Sequence, residues 1–273
     1  MATSPDELRV GMAGLGAIGM AVARRLDDGV AGLALAAASA GDLARARERV
    51  ETFGAPPAIV ESERLADLAD VVVECAPAAV FRTIAEPAIR AGRVFLPVSV
   101  GALLSHPDLI ELAKNSGAHI VVPTGALIGL DAVRAAAEGE IKSVRMVTRK
   151  PPASLAGAPH LERNQIRVDG LDAPLKVFDG TAREGAVGFP ANVNVAAALS
   201  LAGIGPDRTL LEVWADPALE RNTHHIEVDS DSARFSMTIE NLPSEENPRT
   251  GRITSLSVIA TLRRLASPIV VGT

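Results

Sequence analysis

Cysteine is nearly absent from this chain of 273 residues, since Cys75 is the only one. A single thiol excludes an intrachain disulfide and leaves a cysteine-based zinc site without its ligands. No basic run is present to neutralise phosphates, and the formal net charge is −6, so we expect no nucleic-acid partner. No apolar run reaches the roughly 20 residues that span a bilayer, and the N-terminus lacks the basic-then-apolar pattern of a signal peptide. These absences predict a cytoplasmic protein with no metal centre and no membrane partner.

The composition that is present is typical of a globular protein, with 48% hydrophobic and 22% charged residues. Such a mixture is too apolar for a disordered chain. The length suffices for one large domain or, more typically, for two domains of ordinary size.

The first half of the chain alternates between short apolar runs and helical patterns. The runs are nearly continuous, which is typical of strands buried on both faces of a parallel sheet with helical crossovers. They are "LRVGMAG" (8–14), "GLALAAAS" (32–39), "ADVVVECAP" (69–77), "RVFLPVSVG" (93–101) and "AHIVVPTG" (118–125). We therefore predict an α/β fold, with a Rossmann-type doubly wound parallel sheet over residues 1–123.

The second half contains more strands than helices. "KSVRMVTRKPP" (142–152) and "PLKVFDGTA" (174–182) are strand-like, and "HHIEVDSDSARFSMTIEN" (224–241) is typical of a hairpin joined by a Ser/Asp turn. One helix is predicted over "PANVNVAAALSLAG" (190–203), beginning with Pro and ending with Gly. These patterns predict a second α/β domain over residues 124–249, with a mixed, largely antiparallel sheet.

A last helical pattern covers "ITSLSVIATLRRLAS" (253–267). Its apolar positions are Leu256, Ile259, Leu262 and Leu265. We expect the segment 250–273, which contains this helix, to pack back on the first domain.

A glycine motif, "GLGAIG", directly follows the first predicted strand and opens a helix. Gly14 permits a tight turn, Gly16 lets the backbone approach a pyrophosphate, and Gly19 allows close helix–strand packing. The pyrophosphate would lie on the amides of the helix N-terminus, which include those of Ala17 and Ile18. The motif alone is weak, but after the first strand of a βαβ unit it predicts a bound dinucleotide.

The choice between NAD and NADP stays open at the end of the second strand. An NAD site expects Asp or Glu there, about 20 residues after the glycines. This chain has Ser39 instead, with Asp42, Arg45 and Arg47 just beyond. No carboxylate would repel a 2′-phosphate directly, so we expect either cofactor to be accepted. The two arginines are more simply interpreted as the solvated face of a helix.

Two of the five histidines are adjacent, in "NTHHI" (222–226). Because successive strand side chains point to opposite faces, His224 shares the apolar face of Ile226 and Val228, whereas His225 shares the polar face of Glu227. A histidine on the covered face can hold a tuned pKa and reach a bound substrate. Burial by itself, however, favours a structural histidine over a catalytic one.

Several stretches together resemble the L-aspartate dehydrogenase family over nearly the whole chain. Besides the glycine motif and "NTHHI", they are "VVECAP" (72–77), "VSVGAL" (98–103), "VPTGALIGLDA" (122–132), "TRKPP" (148–152), "FPANVNVAAALSLAG" (189–203) and "NPRTGRITSLSV" (247–258). The resemblance implies a Rossmann domain joined to an α/β domain that carries catalysis and homodimer contacts. It also implies oxidation of L-aspartate with NAD or NADP to iminosuccinate, which hydrolyses to oxaloacetate and ammonia. Whether the reaction serves pyridine nucleotide biosynthesis, aspartate breakdown or the reverse direction stays open.

The resemblance also implies roles for individual residues. His224 falls on the family's catalytic histidine, and Ala126 and Asn194 fall at the nicotinamide end of the cofactor. Asn192 competes with Asn194, since it lies nearer the helix start and can be a cap. The expected cofactor site is therefore Gly14, Gly16, Ala17, Ile18, Gly19, Ser39, Cys75, Ala76, Pro77, Ser99, Ala126 and Asn194.

A dicarboxylate substrate needs cations, and the motif stretches offer Lys150, Arg149 and Arg249. We expect Lys150, Arg249 and Asn192 to contact substrate, although each cation can also pair with surface carboxylates. A semialdehyde dehydrogenase would need a thiolate in the second domain, where this chain has no cysteine. Two alternatives stay open: another amino-acid or homoserine-type dehydrogenase, and a protein that binds a dinucleotide without turnover.

Overall fold

The computed structural model describes residues 7–190, 193–244 and 251–272, and its contacts divide the chain into two compact units. The first unit runs to Pro123 and takes up Ser255–Val271. The second unit runs from Thr124 to Thr254, so it is inserted into the first. Within the described ranges, no helix combines the length and the apolar character that a membrane span requires.

The first unit contains a six-stranded, fully parallel sheet with the strand order β3-β2-β1-β4-β5-β6. The predicted Rossmann-type sheet is thus confirmed. The direction of strand addition reverses between β1 and β4, which is the place where such sheets bind ligands at their carboxyl ends. The strands are β1 (Leu8–Ala13), β2 (Leu33–Ser39), β3 (Ala58–Ile59), β4 (Val71–Glu74), β5 (Val94–Pro97) and β6 (His119–Ile120).

Helices cover both faces of this sheet, and the central strand β4 is buried along its whole length. Along β4, Val71 and Val73 enter one hydrophobic core, while Val72 enters the core on the opposite face. Double-sided burial explains why the strand sequences are continuously apolar rather than alternating. The helices are α1 (Ala17–Asp27), α2 (Leu43–Val50), α3 (Leu65–Leu68), α4 (Phe81–Arg90), α5 (Val100–Leu104) and α6 (Pro107–Ser116).

The second unit contains a five-stranded sheet with the order β11-β10-β7-β9-β8. Only the β7–β9 pair is parallel, so the predicted mixed, largely antiparallel sheet is confirmed. The sequence pattern does not predict β9, because its adjacent apolar residues Leu210 and Leu211 interrupt a simple alternation. The strands are β7 (Ile141–Lys150), β8 (Leu175–Thr181), β9 (Thr209–Ala215), β10 (Thr223–Ser230) and β11 (Arg234–Glu240).

The described part of the second unit contains the α-helices α7 (Leu130–Ala137), α8 (Pro159–Arg163), α9 (Ala182–Gly188) and α10 (Asn194–Ala202). The start predicted for α10 was wrong, because Pro190 lies in the turn that follows α9 rather than in the first turn of α10. Its predicted end was right, since Gly203 is the C-cap residue.

The last helix, α11 (Ile253–Ala266), contributes to the core of the first unit. Val258 and Leu262 are fully buried there, against β-sheet and α1 side chains. Leu256 was expected on the buried stripe, but it is 60% exposed. The buried face is therefore centred on Val258 and Leu262, which lie four residues apart as one helical face requires.

Candidate functional site

The glycine loop lies between β1 and α1, at the carboxyl edge of the parallel sheet. Gly14 has a φ of +98°, and a Cβ there would lie 2.6 Å from the Cys75 carbonyl oxygen. A Cβ on Gly19 would lie 1.9 Å from the carbonyl oxygen of Gly14. Around Gly16, by contrast, no atom lies within 4 Å of such a Cβ. The fold itself thus requires Gly14 and Gly19, while Gly16 leaves open space at the N-terminus of α1, beside Ala17 and Ile18.

Ser39 ends β2 at the position where an NAD site expects a carboxylate. Its side chain is buried, and its hydroxyl lies 2.9 Å from the Ser62 hydroxyl. The next carboxylate along the chain, Asp42, caps α2 by accepting a hydrogen bond of 3.0 Å from the Arg45 amide. The end of β2 itself therefore carries a hydroxyl group in place of an acid.

Arg49 is a basic residue near the glycine loop that the sequence analysis missed. Its guanidinium donates a hydrogen bond of 2.5 Å to the Leu15 carbonyl oxygen. Arg45 and Arg47, which were singled out from the sequence, have exposed side chains on α2. The spacing of the three arginines along α2 does not indicate which of them contacts the glycine loop, because that contact depends on the tertiary packing of α2.

The residues after β4 and β5 come together at the same edge. Cys75, Ala76 and Pro77 follow β4, Ser99 follows β5, and the Ser99 hydroxyl donates to the Ala76 carbonyl oxygen at 3.1 Å. Burial, and then the nearby charge of Glu74, raises the pKa of the Cys75 thiol. The thiol therefore stays protonated at neutral pH, which is unsuitable for a nucleophile.

His224 lies on β10 in the second unit, with only 2% of its surface exposed. Its register partner on β7 is Thr148, and the His224 Nδ1 lies 3.2 Å from the Thr148 Oγ1. The predicted face of the strand is confirmed, since Ile226 and Val228 are also buried. His225 instead lies on the outer face, where its Nδ1 is 2.8 Å from the Thr238 Oγ1.

Lys150 shares the face of Thr148 on β7, two residues along the strand, and is 4% exposed. Burial lowers the pKa of Lys150 to about 8. Burial, and secondarily the charge of Lys150, lowers the pKa of His224 to about 3. The sheet therefore holds two neighbouring buried bases, and a bound anion would stabilise the protonated form of each.

Arg149 points away from this pair. Its guanidinium lies 3.3 Å from an Asp216 carboxylate oxygen and 4.7 Å from the centre of the Trp214 ring. Of the adjacent cations in "TRKPP", only Lys150 lies on the face of His224, because neighbouring strand residues alternate.

Asn241 is a further buried polar residue in the second unit that the sequence analysis did not identify. It follows β11, is 4% exposed, and its Nδ2 donates a hydrogen bond of 3.1 Å to the Ala126 carbonyl oxygen. Within the described residues, its Oδ1 makes no hydrogen bond. Asn194 is the first residue of α10 and is partly buried. Asn192 and Arg249 lie outside the described residues.

Two family models together match most of the chain. The model described as "Homoserine dehydrogenase, NAD binding domain" matches residues 14–123, and the model described as "Aspartate dehydrogenase, C-terminal" matches residues 131–265. The first match covers the glycine loop and the parallel sheet. The second covers the strands that carry Lys150 and His224.

Related proteins and solved structures agree with these models. The L-aspartate dehydrogenase of Bradyrhizobium diazoefficiens is 55% identical over 99% of this chain and 96% of its own length. L-aspartate dehydrogenase 3 of Bordetella bronchiseptica is 56% identical over 99% of this chain and 100% of its own. The crystal structure of the Thermotoga maritima aspartate dehydrogenase shares the fold, with a TM-score of 0.72 at 23% identity over 97% of this chain and 100% of its own. This chain belongs to the L-aspartate dehydrogenase family.

Proposed function

We propose that this protein oxidises L-aspartate with NAD or NADP to iminosuccinate, which water then converts to oxaloacetate and ammonia. The observation that carries the proposal is the buried pair of bases, His224 and Lys150, on one face of the second sheet. The names of the relatives that are 55% and 56% identical support the substrate.

The open space at Gly16 fits a bound pyridine nucleotide. Backbone amides at the start of α1 can receive the pyrophosphate there without collision, since a Cβ at Gly16 would have no neighbour within 4 Å. When bound, the nicotinamide supplies the acceptor for the hydride that leaves the substrate Cα. The residues of this chain bind and orient it, and we propose Ala126 and Asn194 as further contacts of the nicotinamide end.

His224 is proposed as the acid–base residue. With its Nδ1–H donating to the Thr148 Oγ1, the neutral ring presents a lone pair at Nε2. That atom can take a proton from the substrate ammonium before the hydride leaves. After the hydride has left, the ring can release this proton to solvent, take one from the water that attacks the imine carbon, and donate it to the departing amine nitrogen. The low pKa of His224, about 3, keeps the ring neutral at neutral pH.

Lys150 is proposed to bind a substrate carboxylate. A charge-assisted hydrogen bond to a carboxylate would stabilise the buried ammonium, whose pKa burial lowers to about 8. The same anion would raise the proton affinity of His224, because it offsets the charge of Lys150 that lowers the His224 pKa. Substrate binding would thus turn a very weak base into a useful one. Asn192 and Arg249 are proposed as further substrate contacts on the family resemblance alone.

A homodimer is also part of the proposal. It is supported by the family resemblance and by the outer face of the second sheet, where Leu210 is 49% exposed and Trp214 is partly exposed. Sedimentation of the purified protein would measure its mass, and a monomer at micromolar concentration would contradict this part of the proposal.

The activity is tested by following reduced-nicotinamide absorbance with L-aspartate, L-glutamate and L-homoserine, each with NAD and with NADP. We expect L-aspartate to be the preferred substrate. Turnover of homoserine alone would favour a homoserine-type dehydrogenase, a reading that the match of residues 14–123 also permits. Cofactor binding without turnover of any amino acid would instead indicate a dinucleotide-binding protein.

A further inference from the structure

A buried carboxyl group ends β4, at the carboxyl edge of the parallel sheet. Glu74 has no exposed surface, and it follows three apolar residues of the same strand, Val71–Val73. A buried carboxyl costs free energy unless its oxygens are hydrogen-bonded. A carboxyl group at the last position of this apolar strand is therefore expected to have hydrogen-bond partners in the loops beyond the strand.

The partners of Glu74 come from two different loops. Its Oε1 accepts a hydrogen bond of 2.9 Å from the Ala76 amide, in the loop after β4. Its Oε2 accepts one of 2.9 Å from the Ser99 amide, in the loop after β5. The Ser99 hydroxyl lies 3.0 Å from Oε1 and 3.1 Å from the Ala76 carbonyl oxygen, so it joins both loops. One carboxyl group thus fixes the spacing between the two loops.

Both hydrogen bonds to main-chain amides persist whether or not Glu74 is charged. Burial raises the pKa of Glu74, while the bonds from Ser99 and Ala76 lower it. A protonated Oε1 would donate a hydrogen bond to the Ser99 hydroxyl, which would in turn donate one to the Ala76 carbonyl oxygen. The same Oε1 would keep a lone pair that accepts the hydrogen bond from the Ala76 amide. The role of Glu74 in placing the loops is therefore independent of its titration.

The two loops lie on the nicotinamide side of the proposed cofactor site. A doubly wound sheet binds a dinucleotide across its switch point, with one mononucleotide half on each side. Here β2 and β3 lie on one side of the β1–β4 boundary, and the loops after β4 and β5 lie on the other. Ser39, at the end of β2, marks the adenosine side.

We propose that Glu74 is a positioning residue, which holds the loops of Ala76 and Ser99 at the spacing that the nicotinamide half of the cofactor requires. The proposal rests on the proposed function, since it names a determinant of the same site. It goes beyond the family resemblance, which implied contacts by Cys75, Ala76, Pro77 and Ser99 but no residue that arranges them.

Glu74→Gln is the sharpest test, because an amide has only one oxygen. In either orientation, its NH₂ group faces the main-chain N–H of one loop, so one of the two bonds is lost and that loop must shift. We expect kcat to fall roughly 10- to 100-fold, the scale for small misplacement of a reacting group. We also expect NADH to bind about tenfold more weakly, while ADP-ribose, which lacks the nicotinamide, binds unchanged.

Asp70→Asn is the matched control, at the opposite end of the same strand. Asp70 immediately precedes β4 and accepts bonds of 3.0 Å from the Arg9 amide and 2.7 Å from its guanidinium. This variant should lower the melting temperature but leave kcat and NADH affinity unchanged. Equal losses of kcat in both variants, or unchanged NADH affinity in Glu74→Gln, would overturn the proposal.

A second variant covers the case in which Glu74→Gln does not fold. Glu74→Asp keeps a carboxyl group, but its side chain is one methylene shorter, so it cannot hold both loop amides at the distance of 2.9 Å. Weaker NADH binding with unchanged ADP-ribose binding would support the proposal, and unchanged binding of both would contradict it. These binding measurements need no turnover. If the unmodified protein oxidises no amino acid, the proposed function fails while the role of Glu74 is still tested.

Discussion

Glu74 in the first unit and the His224–Lys150 pair in the second unit are buried in opposite ways. In the first unit, Glu74 is surrounded by donors, with both oxygens accepting main-chain hydrogen bonds of 2.9 Å. In the second unit, His224 and Lys150 are two bases whose pKa values burial lowers, and the charge of one disfavours the charge of the other. Both oxygens of Glu74 have hydrogen-bond donors within the protein, whereas a bound anion would stabilise the protonated forms of Lys150 and His224. The first arrangement joins two loops of the protein, whereas the proposed catalytic role rests on the second.

The largest expected effect separates the two adjacent histidines of the second unit. His224→Ala should lower kcat/KM by roughly 10²–10⁴-fold, the range for removing a general acid–base residue. His225→Ala should change it little, because that side chain is 41% exposed on the outer face. Steady-state kinetics on both variants makes the measurement. Equal losses would mean that the inner and outer faces of β10 do not differ in function.

Gly16→Val should weaken NAD(P) binding at least 100-fold, because its side chain would occupy the space proposed for the pyrophosphate. The structure predicts that this variant still folds, since nothing lies within 4 Å of a Cβ at Gly16. Gly14→Ala is the contrasting variant, and it should lower the melting temperature because its Cβ would lie 2.6 Å from the Cys75 oxygen. Calorimetric titration and thermal unfolding would measure both effects. Normal cofactor affinity in a folded Gly16→Val would refute the binding site.

Lys150 should make stability depend on pH in the alkaline range. Between pH 8 and 10.5 the unfolded chain binds a proton at Lys150 that the folded protein has released, so stability rises with pH. The contribution is about 3 kcal/mol across this window, and it should be missing from Lys150→Met. Urea unfolding of both proteins at pH 8 and pH 10.5 gives the difference. A parallel pH dependence in the two would show that Lys150 titrates normally.

The charge of Lys150 should also govern dicarboxylate affinity. Succinate, which lacks the amine, should inhibit about tenfold less well at pH 9 than at pH 7, since a group with a pKa of about 8 is mostly neutral at the higher pH. Lys150→Arg should show no such decline, because a guanidinium stays charged. A decline of the same size in Lys150→Arg would assign the titration to another group.

The smallest expected effect concerns the choice of cofactor in the first unit. We expect NAD and NADP to support rates within roughly tenfold of each other, because no acid ends β2. Ser39→Asp should shift the preference toward NAD. Ser62→Ala is its control, since it removes the same 2.9 Å hydroxyl contact without adding a charge. The absence of NADP activity in the unmodified protein would contradict this interpretation of Ser39.

The sequence predicted the parts of the site that local pattern determines. The glycine motif after a strand and the inner face of His224 both follow from periodicities that need no tertiary information. The partners of Glu74 and the reach of Arg49 to Leu15 could not be predicted, because they depend on the packing of segments far apart in the chain. The start of α10 was misplaced for a local reason, since proline is also favoured in turns.

The route of the chain through the two units bears on how the protein is made. Val258 and Leu262 of α11 are buried in the core of the first unit, yet about half of the chain separates them from β6. A ribosome adds roughly 5–20 residues per second, so the strands of the first unit emerge many seconds before the helix that completes their core. The hydrophobic core of the first unit therefore cannot be completed until the second unit has been synthesised.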